Sequence, residues 1–98
     1  MKAELWNEAV NLLDSQKDSN ALIEALTILL TPEERNAIGS RLAIIKALLA
    51  GNESQREIAA RLGVSIATIT RGSNMLKTLN NDQKNLIGIS SGCRAMDQ

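Results

Sequence analysis

One stretch limits what this chain can fold into more than any other: Gln55-Arg-Glu-Ile-Ala-Ala-Arg-Leu-Gly-Val-Ser-Ile-Ala-Thr-Ile-Thr-Arg-Gly-Ser-Asn-Met-Leu-Lys77. It reads as two short helices joined at Gly63. Ser54 followed three residues later by Glu57 is a capping box for the first helix. Ile58, Ala59 and Leu62 form that helix's apolar face, and Gly63 stands where a left-handed residue ends a helix at little steric cost. Ser65 caps the second helix, whose stripe is Ile66, Ile69 and Leu76. This pattern is a helix-turn-helix, whose second helix enters the major groove of DNA. Ala59 sits where the two helices cross and a larger side chain would push them apart. An ordinary helical hairpin is the plainer alternative. Against it, Ala59, Leu62, Gly63, Val64 and Ile69 fit the DNA-binding spacing together.

A net charge of zero argues against a nucleic-acid binder until its distribution is considered. Residues 1–40 carry three bases (Lys2, Lys17, Arg35) and seven acids (Glu4, Glu8, Asp14, Asp18, Glu24, Glu33, Glu34), a balance of −4. Residues 41–77 carry six bases (Arg41, Lys46, Arg56, Arg61, Arg71, Lys77) and two acids (Glu53, Glu57), a balance of +4. The bases coincide with the helix-turn-helix, as phosphate contact requires. Ninety-eight residues suit one domain, and its core must be built from Leu, Ile and Ala, because there is one Trp and no Phe or Tyr. A dimer would supply more buried surface. There is no His, no phosphate loop and a single Cys93, so an enzyme, a zinc site and an intrachain disulfide are all disfavoured. No apolar run is long enough to span a membrane and the N-terminus lacks a signal-peptide pattern, which predicts a cytoplasmic protein.

Upstream, residues 3–15 form an amphipathic helix with Leu5, Trp6, Ala9, Val10, Leu12 and Leu13 on one face. Trp6 is read as a core or dimer anchor. A second helix covers 20–29. Thr31-Pro32-Glu33-Glu34 starts a third helix that runs to Ala50 and ends at Gly51-Asn52. Gly39 inside it costs roughly 1 kcal/mol against Ala, unless something approaches the backbone there. A last helix from Asn81 is expected to end early at Gly88, Ser90, Ser91 and Gly92, leaving residues 89–98 frayed.

Two segments resemble the Trp repressor family. One is Leu30-Thr-Pro-Glu-Glu-Arg-Asn-Ala-Ile-Gly-Ser-Arg41, continuing to Leu49; the other is Gln55-Arg-Glu-Ile with Ile66-Ala-Thr-Ile-Thr-Arg-Gly-Ser-Asn74 and Leu76-Lys77. Ala67–Asn74 is the most specific part, and the likeness runs without gaps from Trp6 to Lys77. The family is itself among the systems from which helix-turn-helix docking and water-mediated operator contact are described, so those generalities add no independent support. The resemblance implies an all-α, intertwined homodimer that binds L-tryptophan as corepressor and then a palindromic double-stranded operator. Arg41 and Arg71 would lie on the two faces of the indole, which suits planar guanidinium groups. Arg71 would also pair with the ligand carboxylate. Gly72 would let the ring lie against the helix backbone, and Ile45 would form an apolar wall. Thr31 and the carbonyls of Ile28 and Leu30 would come from the other subunit. For DNA, the resemblance points to Ile66, Ala67, Thr68 and Thr70 near base edges, and to Gln55, Arg56, Asn74 and Lys77 nearer the backbone. Ser65 and Ile66 would offer N–H groups to phosphate.

Four departures from the family pattern stand out. Met75 occupies the place of a serine hydroxyl close to the ligand ammonium. Ala59 stands where a lysine would touch DNA. The chain starts close to its first helix, without a basic N-terminal arm, and Gly88 and Gly92 weaken the last helix. Two other readings stay open: a helix-turn-helix protein that is ligand-independent or answers another small molecule, and a helical protein-interaction module.

Overall fold

A computed structural model of the chain describes residues 2–92, with side chains to residue 88. Cys93 lies outside the described residues. Six helices follow one another: α1 (Lys2–Asp14), α2 (Ser19–Leu29), α3 (Pro32–Ala50), α4 (Gln55–Leu62), α5 (Ile66–Lys77) and α6 (Asn81–Gly92). No strand occurs among the described residues, in keeping with the all-α expectation. The chain divides into two compact units, residues 1–36 and 37–98, with α3 beginning in the first and continuing into the second.

In the first unit α1 packs on α2. Asp18 starts α2, accepting a hydrogen bond from the Ala21 N–H at 2.8 Å. Only Ala25 is buried among the described residues of this unit, while Trp6 is 69 % exposed and Ile28 79 % exposed. The core reading of Trp6 therefore fails within a single chain. Thr31 and Glu34 form the reciprocal box expected at the start of α3, with bonds of 2.8 and 3.1 Å.

The second unit holds a core of Ile44 and Ala47 from α3, Ile58 and Ala59 from α4, and Ile69 from α5. Leu48, Leu62 and Val64 pack around it. Ile58 and Ile69 are fully enclosed. Such side chains each contribute about 1.5–3 kcal/mol when taken out of water. They clamp the helix-turn-helix against α3. Gly51 and Gly63 both adopt positive φ (70° and 69°), ending α3 and α4 in the left-handed conformation. Gly39 needs no such explanation: a Cβ there would meet nothing within 4 Å.

Helix α6 runs to Gly92, beyond the end that Gly88 suggested. Asn80 and Gln83 hold its start by exchanging backbone-to-side-chain bonds of 2.9 and 2.8 Å. One glycine costs about 1 kcal/mol, which is too little to stop a helix already nucleated.

Candidate functional site

Two helix faces of the same spacing build the site. Ala37, Ser40, Arg41 and Ile44 of α3 and Thr68, Arg71, Gly72 and Met75 of α5 line a cavity of about 420 Å³, with Val64 closing it from the α4–α5 turn. In each set the intervals are three, one and three residues, which places all four on one helical face. The volume falls in the range of small-molecule sites. Among its lining residues are two guanidinium groups and no carboxylate. The cavity therefore favours an anion, and its apolar walls favour an aromatic or aliphatic body.

The two arginines are held differently. Arg41 has no hydrogen-bond or ion-pair partner among the described residues. Arg71 donates from Nη2 to Thr68 Oγ1 at 3.3 Å. Thr68 Oγ1 in turn lies 2.9 Å from Ser65 Oγ, and Ser65 caps α5 by accepting from the Thr68 N–H at 3.1 Å. Thr68 is accordingly half-buried and lines the cavity, instead of standing free toward solvent like Thr70.

Gly72 serves a contact that the sequence did not reveal. A Cβ there would lie 2.6 Å from Ile44 Cγ2, so the glycine is what lets α5 seat on α3. That space, expected to lie open to a ligand ring, belongs to Ile44; Gly72 still borders the cavity through its backbone. Ile45 is buried but is not among the lining residues, and Ile44 takes the wall expected of it. Met75 lines the cavity and is 44 % exposed.

Ile28, Leu30 and Thr31 belong to the first unit, and every lining residue belongs to the second. Thr31 is engaged as the α3 cap. Ala37, Ser40, Ile44 and Val64 were missed from sequence. Their signal was present, since Ala37, Ser40 and Ile44 lie four before, one before and three after Arg41.

On the outer surface Gln55, Arg56, Ser65, Ile66, Ala67, Thr70, Asn74 and Lys77 are all exposed on α4, α5 and the turn between them. The capping box of Ser54 and Glu57 is complete, with bonds of 2.8 and 3.1 Å. Arg61 forks onto Glu53 at 2.8 and 2.7 Å, tying the end of α4 to the loop before it. This bond from Arg61 holds the Glu53 carboxyl below its ordinary range and raises Arg61. Ala59, where a lysine was expected to touch DNA, is 7 % exposed within the core, so its small size serves packing. No helix among the described residues is long and apolar enough to cross a membrane.

Comparison with known proteins gives a consistent result. The family described as Trp repressor protein matches residues 4–89. A Trp operon repressor homolog of Haemophilus influenzae is 48 % identical over 79 residues, which is 81 % of this chain and 78 % of that protein. The homolog of Vibrio parahaemolyticus is 47 % identical over 79 residues, covering 81 % and 77 %. That of Actinobacillus succinogenes is 49 % identical over 77 residues, covering 79 % and 76 %.

Proposed function

The chain belongs to the Trp repressor family, and from that premise we propose that it is a homodimeric transcriptional repressor that binds operator DNA when L-tryptophan fills the cavity between α3 and α5. It is a regulator and not an enzyme. The observation that carries the ligand assignment is the pair of guanidinium groups lining one cavity with no acid beside them. Tryptophan answers both needs: its indole offers faces for the guanidinium planes, and its carboxylate is the anion. Ser40 and Thr68 add hydroxyls, and Ile44, Val64 and Met75 supply apolar wall. Ile28, Leu30 and Thr31 of a second protomer are assigned to the ammonium and carboxylate, and Ile45, the buried neighbour of Ile44, is assigned to the apolar side of the site.

Gating follows from where the cavity lies. It sits behind α5, so a ligand there biases the position of the helix that reads DNA. Ile66, Ala67, Thr68 and Thr70 are assigned to base edges. Gln55, Arg56, Asn74 and Lys77 are assigned to phosphates, together with the N–H groups at Ser65 and Ile66. A ligand-independent reader would leave the two arginines facing a cavity with no anion to bind. Calorimetric titration of the chain with L-tryptophan, followed by duplex binding with and without it, tests the proposal. Saturable 1:1 binding per chain and a tryptophan-dependent duplex shift are expected. Absence of heat, or equal DNA affinity in both conditions, would overturn it.

A further inference from the structure

The line of hydroxyls from Ser65 through Thr68 to Arg71 does more than cap a helix. We propose that Ser65 and Thr68 are positioning residues that hold the Arg71 guanidinium over the cavity before any ligand arrives. Three contacts along α5 carry this. Ser65 Oγ accepts from the Thr68 N–H at 3.1 Å, which fixes the Ser65 side chain. Ser65 Oγ and Thr68 Oγ1 lie 2.9 Å apart, which fixes the Thr68 hydroxyl. Thr68 Oγ1 then accepts from Arg71 Nη2 at 3.3 Å.

The donor bookkeeping is consistent. Each hydroxyl has one proton, so one of the pair donates to the other, and Thr68 Oγ1 keeps a lone pair for Arg71. Thr68 is three residues before Arg71 and lines the same cavity, so the contact holds the exposed arginine at the cavity's edge. Arg41, on the opposite wall, has no such anchor among the described residues. The cavity therefore has one fixed arginine and one adaptable one. The fixed one suits a carboxylate, which demands geometry. The adaptable one suits a ring face, which tolerates sliding. An arginine held in advance surrenders less rotamer freedom when its ligand binds.

The test is made on the ligand-free chain, by nitrogen relaxation of the arginine Nε–H groups at mildly acid pH. In the parent, the Arg71 Nε–H order parameter is expected to exceed that of Arg41. Thr68→Val keeps the shape and removes the acceptor, and should lower Arg71 to the level of Arg41. Thr68→Ser should restore it. Ser65→Gly retains a competent cap but loses the hydroxyl, so Arg71 should loosen while the α5 amides stay ordered. An Arg71 as mobile as Arg41 in the parent, or unchanged in Ser65→Gly or in Thr68→Val, would overturn the proposal. If Thr68→Val does not fold, the parent and Ser65→Gly still decide.

A second measurement rests on the tryptophan reading. Ser65→Gly should weaken L-tryptophan by about two- to tenfold. Tryptamine, which lacks the carboxylate and keeps only the ring face, should lose clearly less. Equal losses for both ligands would mark a merely structural role and overturn the positioning claim. A parent that binds neither ligand would instead overturn the proposed function, leaving the relaxation result standing.

Discussion

Gly72 and Ile44 meet in a space that admits only one side chain, and this single contact sets how closely the reading helix approaches α3. Gly72→Ala would drive a methyl to 2.6 Å from Cγ2 of the buried Ile44, so one of the two helices or the Ile44 side chain must shift. A destabilisation of about 1–3 kcal/mol is expected, read as a lower urea midpoint. Removing the clashing methyl should relieve it, so Gly72→Ala should cost less in an Ile44→Ala background than in the parent. Ligand chemistry is equally local. Arg71→Leu removes a ring face and the carboxylate partner. A charge-assisted hydrogen bond of about 1.5–3 kcal/mol corresponds to roughly ten- to hundredfold weaker tryptophan binding without DNA. Met75→Ser would bring back a hydroxyl and tighten binding about fivefold, from a net bond of about 1 kcal/mol. Unchanged calorimetric affinity in Arg71→Leu would contradict the assignment. At this scale sequence reasoning separated less well. Ile44 and Ile45 are adjacent, alike and both buried, and a rotation of one residue decides which lines the cavity. The Thr68 hydroxyl was given a role toward DNA alone, because nothing in residue type announces a bond back to Ser65.

Elements were far more legible than side chains, because their ends are written in local chemistry. Thr31 with Glu34 and Ser54 with Glu57 are reciprocal caps that need no tertiary partner to be read. Gly51 and Gly63 take the positive φ that their positions demanded. Asp18 was less visible, because the polar run from Asp14 to Asn20 offers several capping residues. The Glu53–Arg61 fork was not foreseen: eight residues separate the pair, a distance set by the turn of the loop and not by helical period. It has a consequence for pH. The Glu53 carboxyl is lowered when folded, chiefly by its bond to Arg61. Its contribution is therefore present above the ordinary glutamate value, about 4.3, and is lost as pH falls through the lower folded value. The pair is exposed, so the effect is small. Glu53→Gln should lower the urea midpoint slightly at neutral pH and leave it unchanged in strong acid, so that the acid limb of a plot against pH becomes flatter. An identical acid limb in the variant would show that the fork does not contribute.

Across the whole molecule, the division of charge and of burial fall in the same place. The acidic stretch has a nearly coreless first unit, whereas the basic stretch contains the well-packed helix-turn-helix. An apolar but exposed α1 and α2 call for a partner, and a second copy would present two reading helices. In a complex these should stand about 34–36 Å apart, one turn of DNA. Sedimentation at micromolar concentration should give a dimer, and a stable monomer would sink this reading. DNA affinity should fall steeply with salt through counterion release. Arg56→Ala should weaken all sequences alike and flatten that slope, whereas Thr70→Ala should relax sequence preference. An Arg56→Ala variant with altered preference and an unchanged slope would reverse these roles.

Trp6, 69 % exposed, is the only aromatic residue in the chain, and this makes the protein unusually quiet to light. With no tyrosine beside it, its emission reports one position on α1 and nothing else. Dilution that separates protomers should move that emission to longer wavelength, because the ring passes from an apolar contact into water. Replacing it removes the last intrinsic fluorophore. A Trp6→Leu chain would be dark, so every change in the colour or polarisation of tryptophan's own glow would belong to the ligand as it passes from water into the protein.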